Sequence, residues 1–180
     1  LDSAVEVGLR AVWLNRREGA YLSAAATSLH DLAAALRDAA RYDEALEFAE
    51  RALDIAERLG SDKHSAMSMV LIASVYDELG ENERALDLNT QALRVHQQMG
   101  NVRSAAIAMS NLGTNLCMLG QIDEGVSLLN QAIAFHRSSG RARSEAIALG
   151  NLGAQLARVG RESEAERYLL RSIELARRSI

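Results

Sequence analysis

The sequence predicts an all-α fold built from repeated antiparallel helix pairs. Three observations carry this. The 180 residues contain no proline, against an average usage of about 5%, and they are rich in alanine, the best helix former. Glycines stand at 60, 80, 100, 120, 140 and 160. These are half of the chain's 12 glycines, so the spacing is not an accident of composition. Superposed at forty residues, apolar positions agree: Met69, Met109 and Leu149; Ile72, Leu112 and Leu152; Tyr76, Leu116 and Leu156. A fixed period of this size marks stacked supersecondary units.

Taken in order, residues 1–19 read as one orphan helix, the second half of a truncated unit. Gly19 is offset by one residue from the strict period. Four forty-residue units follow, at 20–59, 60–99, 100–139 and 140–180, so nine helices are expected. Leu29, Leu32 and Leu36 give the first unit the same phases as its successors. In the third unit Met109, Leu112, Leu116 and Leu119 recur at three- and four-residue steps, one apolar stripe of a helix. Its partner carries Val126, Leu129, Ile133 and Phe135. The glycine just past each stripe suits the left-handed residue that closes a helix. Acidic residues open the second helices (Asp43 and Glu44, Glu83, Asp123 and Glu124, Glu162 and Glu164), and arginines close several (Arg58, Arg137, Arg177, Arg178). That order complements the helix dipole. Turns of about two to four residues make consecutive helices antiparallel neighbours.

Composition excludes several classes. With 48% hydrophobic residues and a net charge of −4, the chain is too apolar for a disordered segment. Cys117 has no second cysteine to pair with, so a disulfide scaffold is excluded. No apolar run reaches the ~18 residues of a membrane span. Leu1 is not an initiating methionine and no signal-peptide pattern follows. The expectation is a piece of a longer, cytoplasmic protein.

Small residues carry a family likeness. A Leu-Gly or equivalent pair in each first helix is followed about twelve residues later by a small residue in the second. Leu112-Gly113 leads to Gly125 and Leu152-Gly153 to Ala165; Ile72-Ala73 leads to Ala85 and Leu32-Ala33 to Ala45. A further small residue follows seven on, at Ala52, Ala92, Ala132 and Ser172. The chain thus resembles tetratricopeptide repeats (TPRs) along essentially its whole length. It departs from the common repeat of about 34 residues that closes with a proline, so each helix is about one turn longer. The forty-residue form with its Asn-Leu-Gly run is similar to the repeats of Pins/LGN adaptors, kinesin light chains and the sensor arrays of bacterial signal-transducing NTPases and transcription regulators.

The resemblance implies a right-handed superhelical α-solenoid whose first helices line a concave groove that grips a peptide or helix of a protein partner. The groove positions carried over are Thr27, His30, Asp31, Ala34, Arg37 and Asp38 in the first unit. In the second they are Met67, Val70, Leu71, Ser74, Asp77 and Glu78. In the third they are Ile107, Ser110, Asn111, Thr114, Cys117 and Met118, and in the last Ile147, Gly150, Asn151, Ala154 and Arg158. Asn111 and Asn151 occupy equivalent positions, where the resemblance implies hydrogen bonds to the backbone of an extended partner. An amide both donates and accepts, as a peptide unit requires. The alternative is that each bonds a neighbouring helix or water. The Lys-Asn-Arg cluster of chaperone-tail clamps is not matched, since His30 and Val70 stand where its first lysines belong.

Residues 1–100 carry ten basic and seventeen acidic residues, net −7; residues 101–180 carry ten and seven, net +3. The bland reading is solvated outer faces with i,i+4 pairs such as Glu47–Arg51 and Asp54–Arg58. The functional reading is an oriented partner of basic and apolar character, its basic end near Asp31, Asp38, Asp77 and Glu78. No basic-aromatic stripe points to nucleic acid, and nothing points to a membrane. No catalytic, cofactor or metal residues are expected. His96 and His136 are one repeat apart, ~10 Å if packed as neighbouring helices, too far for one metal. They read as structural or exposed, gaining from the dipole at second-helix ends. Cys117 reads as a small buried hydrophobe, and Trp13 as packing for the first full pair. Two rival functions remain: a ligand-sensing or autoinhibitory array of a bacterial ATPase or transcription regulator, and self-association through uncapped ends. Leu169, Leu170, Ile173 and Ile180 would leave the last surface apolar.

Overall fold

A computed structural model describes the backbone of residues 2–178 and the side chains of residues 17–178. The expectations for the Trp13 side chain and for Ile180 lie outside the described residues. Eight helices run in order: α1 (Asp2–Asp38), α2 (Tyr42–Arg58), α3 (Asp62–Glu78), α4 (Asn82–Gln98), α5 (Val102–Met118), α6 (Ile122–Ser138), α7 (Ala142–Arg158) and α8 (Glu162–Arg178). From α2 onward each has 17 residues. None is long and apolar enough to cross a membrane, among the described residues.

The forty-residue period survives almost intact. Each connection is a three-residue turn whose middle residue is left-handed, and the N–H after it reaches back to the carbonyl five residues earlier. Ser61 thus donates to Ala56 O at 2.9 Å and Gln121 to Leu116 O at 2.9 Å. This double-bonded stop satisfies two of the last carbonyls of each helix from α1 to α7. Gly60, at φ 60°, takes the conformation because it has no Cβ. The first turn makes the same bonds, with Arg41 donating to Leu36 O at 2.9 Å. There the left-handed residue is Ala40, at φ 57°.

One expectation is overturned. No break separates an orphan helix from the first unit. α1 is continuous for 37 residues through Gly19, and Gly19 is not left-handed. The described residues therefore form eight helices, not nine. A lone glycine inside a helix costs only about 1 kcal/mol relative to alanine, too little to end it without the closing bonds found at the other turns.

The chain divides into two compact units, 1–75 and 76–180. In the first, α1 and α2 form an antiparallel hairpin. Leu36, Ala45 and Val75 make a small core there, with Tyr42, Leu46 and Phe48 against it. The outer face of α2 carries the expected pairs, Glu47–Arg51 at 3.5 Å and Asp54–Arg58 at 3.8 Å; exposed as they are, each contributes little.

In the second unit α5–α6 and α7–α8 are tight hairpins, with α4 on α5 and α7 on α5 and α6. The core runs from Cys117, Leu129 and Ile133 to Ala146, Leu149, Leu152, Leu156 and Leu175. Small residues set the hairpin spacing. A Cβ on Gly125 would fall 2.5 Å from the Gly113 carbonyl oxygen and 2.5 Å from Cys117 Sγ. No side chain fits there unless α5 and α6 separate.

Candidate functional site

The expected groove positions on the first helices are divided between the two compact units. In the first unit His30 is half-buried, and burial holds its pKa below the usual histidine value. Asp31 is exposed and Val70 half-buried. Asp38 is engaged rather than free, since Arg37 donates to its Oδ1 at 2.7 Å. The same guanidinium donates to Ser74 Oγ at 3.0 Å, and Ser74 donates to Leu71 O at 2.7 Å.

In the second unit the face has three levels. Near the helix starts, Ile107 and Ile147 are exposed. Midway, Asn111 and Asn151 are half-buried, and neither side chain has a hydrogen-bond partner among the described residues. Ser110 lies beneath this surface, buried, and Thr114 donates to its carbonyl at 3.1 Å. At the helix ends, Arg158 rests against the Met118 thioether, and Glu78 is exposed. Cys117 is buried, and burial pushes its thiol pKa up, which suits the packing role expected of it and not a nucleophile.

The polar feature that sequence reasoning missed is a chain of three side chains. Asn89 donates to Asn115 Oδ1 at 2.9 Å, and Asn115 donates to Asp77 Oδ1. Asn89 and Asn115 are fully buried. The network holds Asp77 in one orientation at the end of α3. A signal was present: Asn115 stands where the other units carry Ala35, Val75 and Gln155, and Asn89 where they carry Ala49, Leu129 and Leu169.

Burial pushes the Asp77 carboxyl up to about 6, with the Asn115 hydrogen bond opposing and Glu78 adding to the rise. The unfolded chain ionises it near 3.8. A raised folded pKa means that ionisation penalises the fold. The penalty is absent below the unfolded value and grows as pH rises through the window from about 4 to about 6. Asp77→Asn keeps an acceptor for Asn115 and removes the charge. Urea denaturation at pH 5 and pH 7 is expected to show the wild type losing about 1–2 kcal/mol relative to Asp77→Asn as pH rises. Parallel pH profiles would contradict the assignment.

Of the two alternatives for His96 and His136, structural or exposed, the first holds. His96 and His136 are buried, and burial lowers both pKa values. Burial opposes the charged form that would gain from the helix dipole.

Repeated forty-residue helix hairpins with small-residue contacts define a class, the α-helical repeat arrays, which generally mediate protein–protein interaction. The tetratricopeptide-repeat family profile matches residues 24–98 and 104–178, and the chain belongs to that family. Such repeats are typically non-enzymatic scaffolds. No curated protein matches the chain. Among solved structures it is similar to BtubC (BKLC) from P. vanneervenii, at 23% identity and a TM-score of 0.70, covering 86% of this chain and 64% of that one. The chain thus spans under two thirds of that protein's length. It is also similar to the nearly identical TPR-like repeats of a Podosopora anserina protein assigned to the kinesin light chains (21% identity, TM-score 0.62, 86% and 76% covered). A third similar structure is MamA (18% identity, TM-score 0.58, 86% and 80% covered). At these identities the likeness is one of fold.

Proposed function

We propose that the first-helix face of the second compact unit, residues 76–180, binds a segment of a protein partner. The observation that carries this is the pair Asn111 and Asn151. They repeat at one period, lie half-buried, and have no partner among the described residues. A half-buried amide without a partner is poised to exchange water for a backbone N–H or C=O. Exposed Ile107 and Ile147 supply apolar contact beside them. At the helix ends Asp77, held by Asn115, and Arg158 present opposite charges. A segment laid across the helices would place a basic residue over Asp77 and an acidic one over Arg158.

The test uses a displayed random-peptide library selected on the 180-residue chain. Selected peptides are expected to carry a basic residue and a central apolar stretch. Asn111→Ala with Asn151→Ala should weaken the best peptide by about tenfold or more, the loss of two hydrogen bonds to half-buried groups. The circular dichroism of the double variant should be unchanged. Equal affinity in the folded double variant would remove these residues from the site.

A further inference from the structure

Three side chains of the second compact unit depart from the repeat together. Asp77 stands where the other repeats carry Arg37, Cys117 and Ala157, and the places of Asn89 and Asn115 are otherwise taken mostly by Ala, Val and Leu. The three meet in one directed chain: Asn89 Nδ2 donates to Asn115 Oδ1, and Asn115 Nδ2 donates to Asp77 Oδ1. Both asparagines are 0% exposed. The bond from Asn89 engages the Asn115 oxygen, so the Asn115 amide nitrogen is left facing Asp77. An ionised carboxylate only accepts hydrogen bonds, which suits that arrangement.

Stability does not account for these residues. Buried polar groups cost free energy unless each finds a partner, and Asn89 Oδ1 is buried without one. Half-buried Asp77 has no ion pair among the described residues, and the charge acting on it, Glu78, repels it. The arrangement does supply a carboxylate held in one direction. Asp77 Oδ2 accepts no hydrogen bond from the described residues and is not sealed from solvent.

We infer that Asp77, positioned by Asn115 and Asn89, binds the guanidinium of an arginine in the partner segment. The inference rests on the peptide-binding reading and narrows its basic residue to one side chain. A half-buried carboxylate takes water from its partner, and a guanidinium is more weakly hydrated than an ammonium and can bond both carboxylate oxygens. Asn115 occupies one lone pair of Oδ1 and leaves the other for that fork. The contact needs Asp77 ionised. Burial raises its carboxyl to about 6, Glu78 on α3 adds to the rise, Asn115 from α5 opposes it, and Asn89 from α4 is uncharged. Arginine recognition therefore weakens as pH falls through about 6, and loss of the Asn115 bond moves that weakening to higher pH.

The probes are the best library-selected peptide that contains arginine and a copy with citrulline in its place, labelled for fluorescence anisotropy. The ratio of their two affinities cancels the other titrating groups. It is expected to be about tenfold at pH 7 and to fall towards one at pH 5. Asp77→Asn should bring it near one at both pH values. Asn89→Leu with Asn115→Val, residues that sister repeats carry at these places, should lower the ratio at pH 7 and raise its pH midpoint, with circular dichroism unchanged. Should that double variant unfold, the Asn115 side-chain amide signal of the wild type gives the same answer: it should titrate with a midpoint of about 6 and move with the arginine peptide but not with the citrulline one. Selected peptides without arginine, or a ratio that Asp77→Asn leaves unchanged, would overturn the arginine assignment, while binding that still depends on Asn111 and Asn151 would uphold the peptide-binding reading. A folded double variant with the wild-type ratio and midpoint, or an Asn115 signal blind to the arginine peptide, would overturn the positioning role.

Discussion

Gly125→Ala is expected to destabilise the protein by about 2 kcal/mol, although three of the four repeats carry alanine at this position. Ala45, Ala85 and Ala165 are the equivalents, and helix propensity alone favours the change by about 1 kcal/mol. Sterics decide against it. The added Cβ would sit 2.5 Å from the Gly113 carbonyl oxygen and 2.9 Å from the Cys117 amide nitrogen. Both belong to the α5 backbone, so the helices themselves must part, and overpacking of this kind typically costs about 1–3 kcal/mol. Ala33 and Ala73 show that the first two units are built around a Cβ on the facing helix as well; the third has glycine on both sides. The midpoint of urea unfolding reads the outcome. A midpoint equal to or above that of the wild type would mean that α5 and α6 are not in backbone contact at this point.

Leu152→Ala is expected to cost about 3 kcal/mol. Leu152 is fully buried, in the same core as Leu149 and Leu156. Truncation removes transfer energy and leaves a cavity that packed helices collapse only in part. Repeat arrays are stabilised by nearest-neighbour contacts, so the loss should concentrate locally. Hydrogen exchange is expected to accelerate most in α7 and α8. Ile147→Ala, at an exposed position of the same helix, should stay within about 0.5 kcal/mol of wild type. A loss of similar size from both variants would contradict the burial pattern.

How much of this was legible in the sequence follows from the range over which each feature is decided. The stops at Gly60 to Gly160 are local: a left-handed residue and two carbonyl bonds over six positions. Their periodicity placed seven of the eight helices. The first turn lacks its glycine, yet the same bonds form around Ala40, because the packing of α1 on α2 outweighs a left-handed cost of roughly 1–2 kcal/mol. Gly19 misled in the opposite direction, since a glycine without the bonds of a stop does not end a helix. The small-residue pairs were legible because they recur. The Asn89–Asn115–Asp77 chain was not, because its members are 26 and 38 residues apart. Only the packed register joins them. The bond from Arg37 to Ser74 was hidden for the same reason, since its two ends are 37 residues apart on different helices; the neighbouring Asp38 is engaged only because the same guanidinium turns back to it.

The central claim is that the first-helix face, rather than the outer helices, receives the partner. Amide chemical-shift mapping with the best library-selected peptide tests it most directly. Perturbations are expected along one face of α5 and α7, centred on Asn111 and Asn151 and including their side-chain amides, with Asp77 and Arg158 at the margin. Shifts confined to the exposed faces of α6 and α8, with both asparagine side chains unmoved, would contradict it.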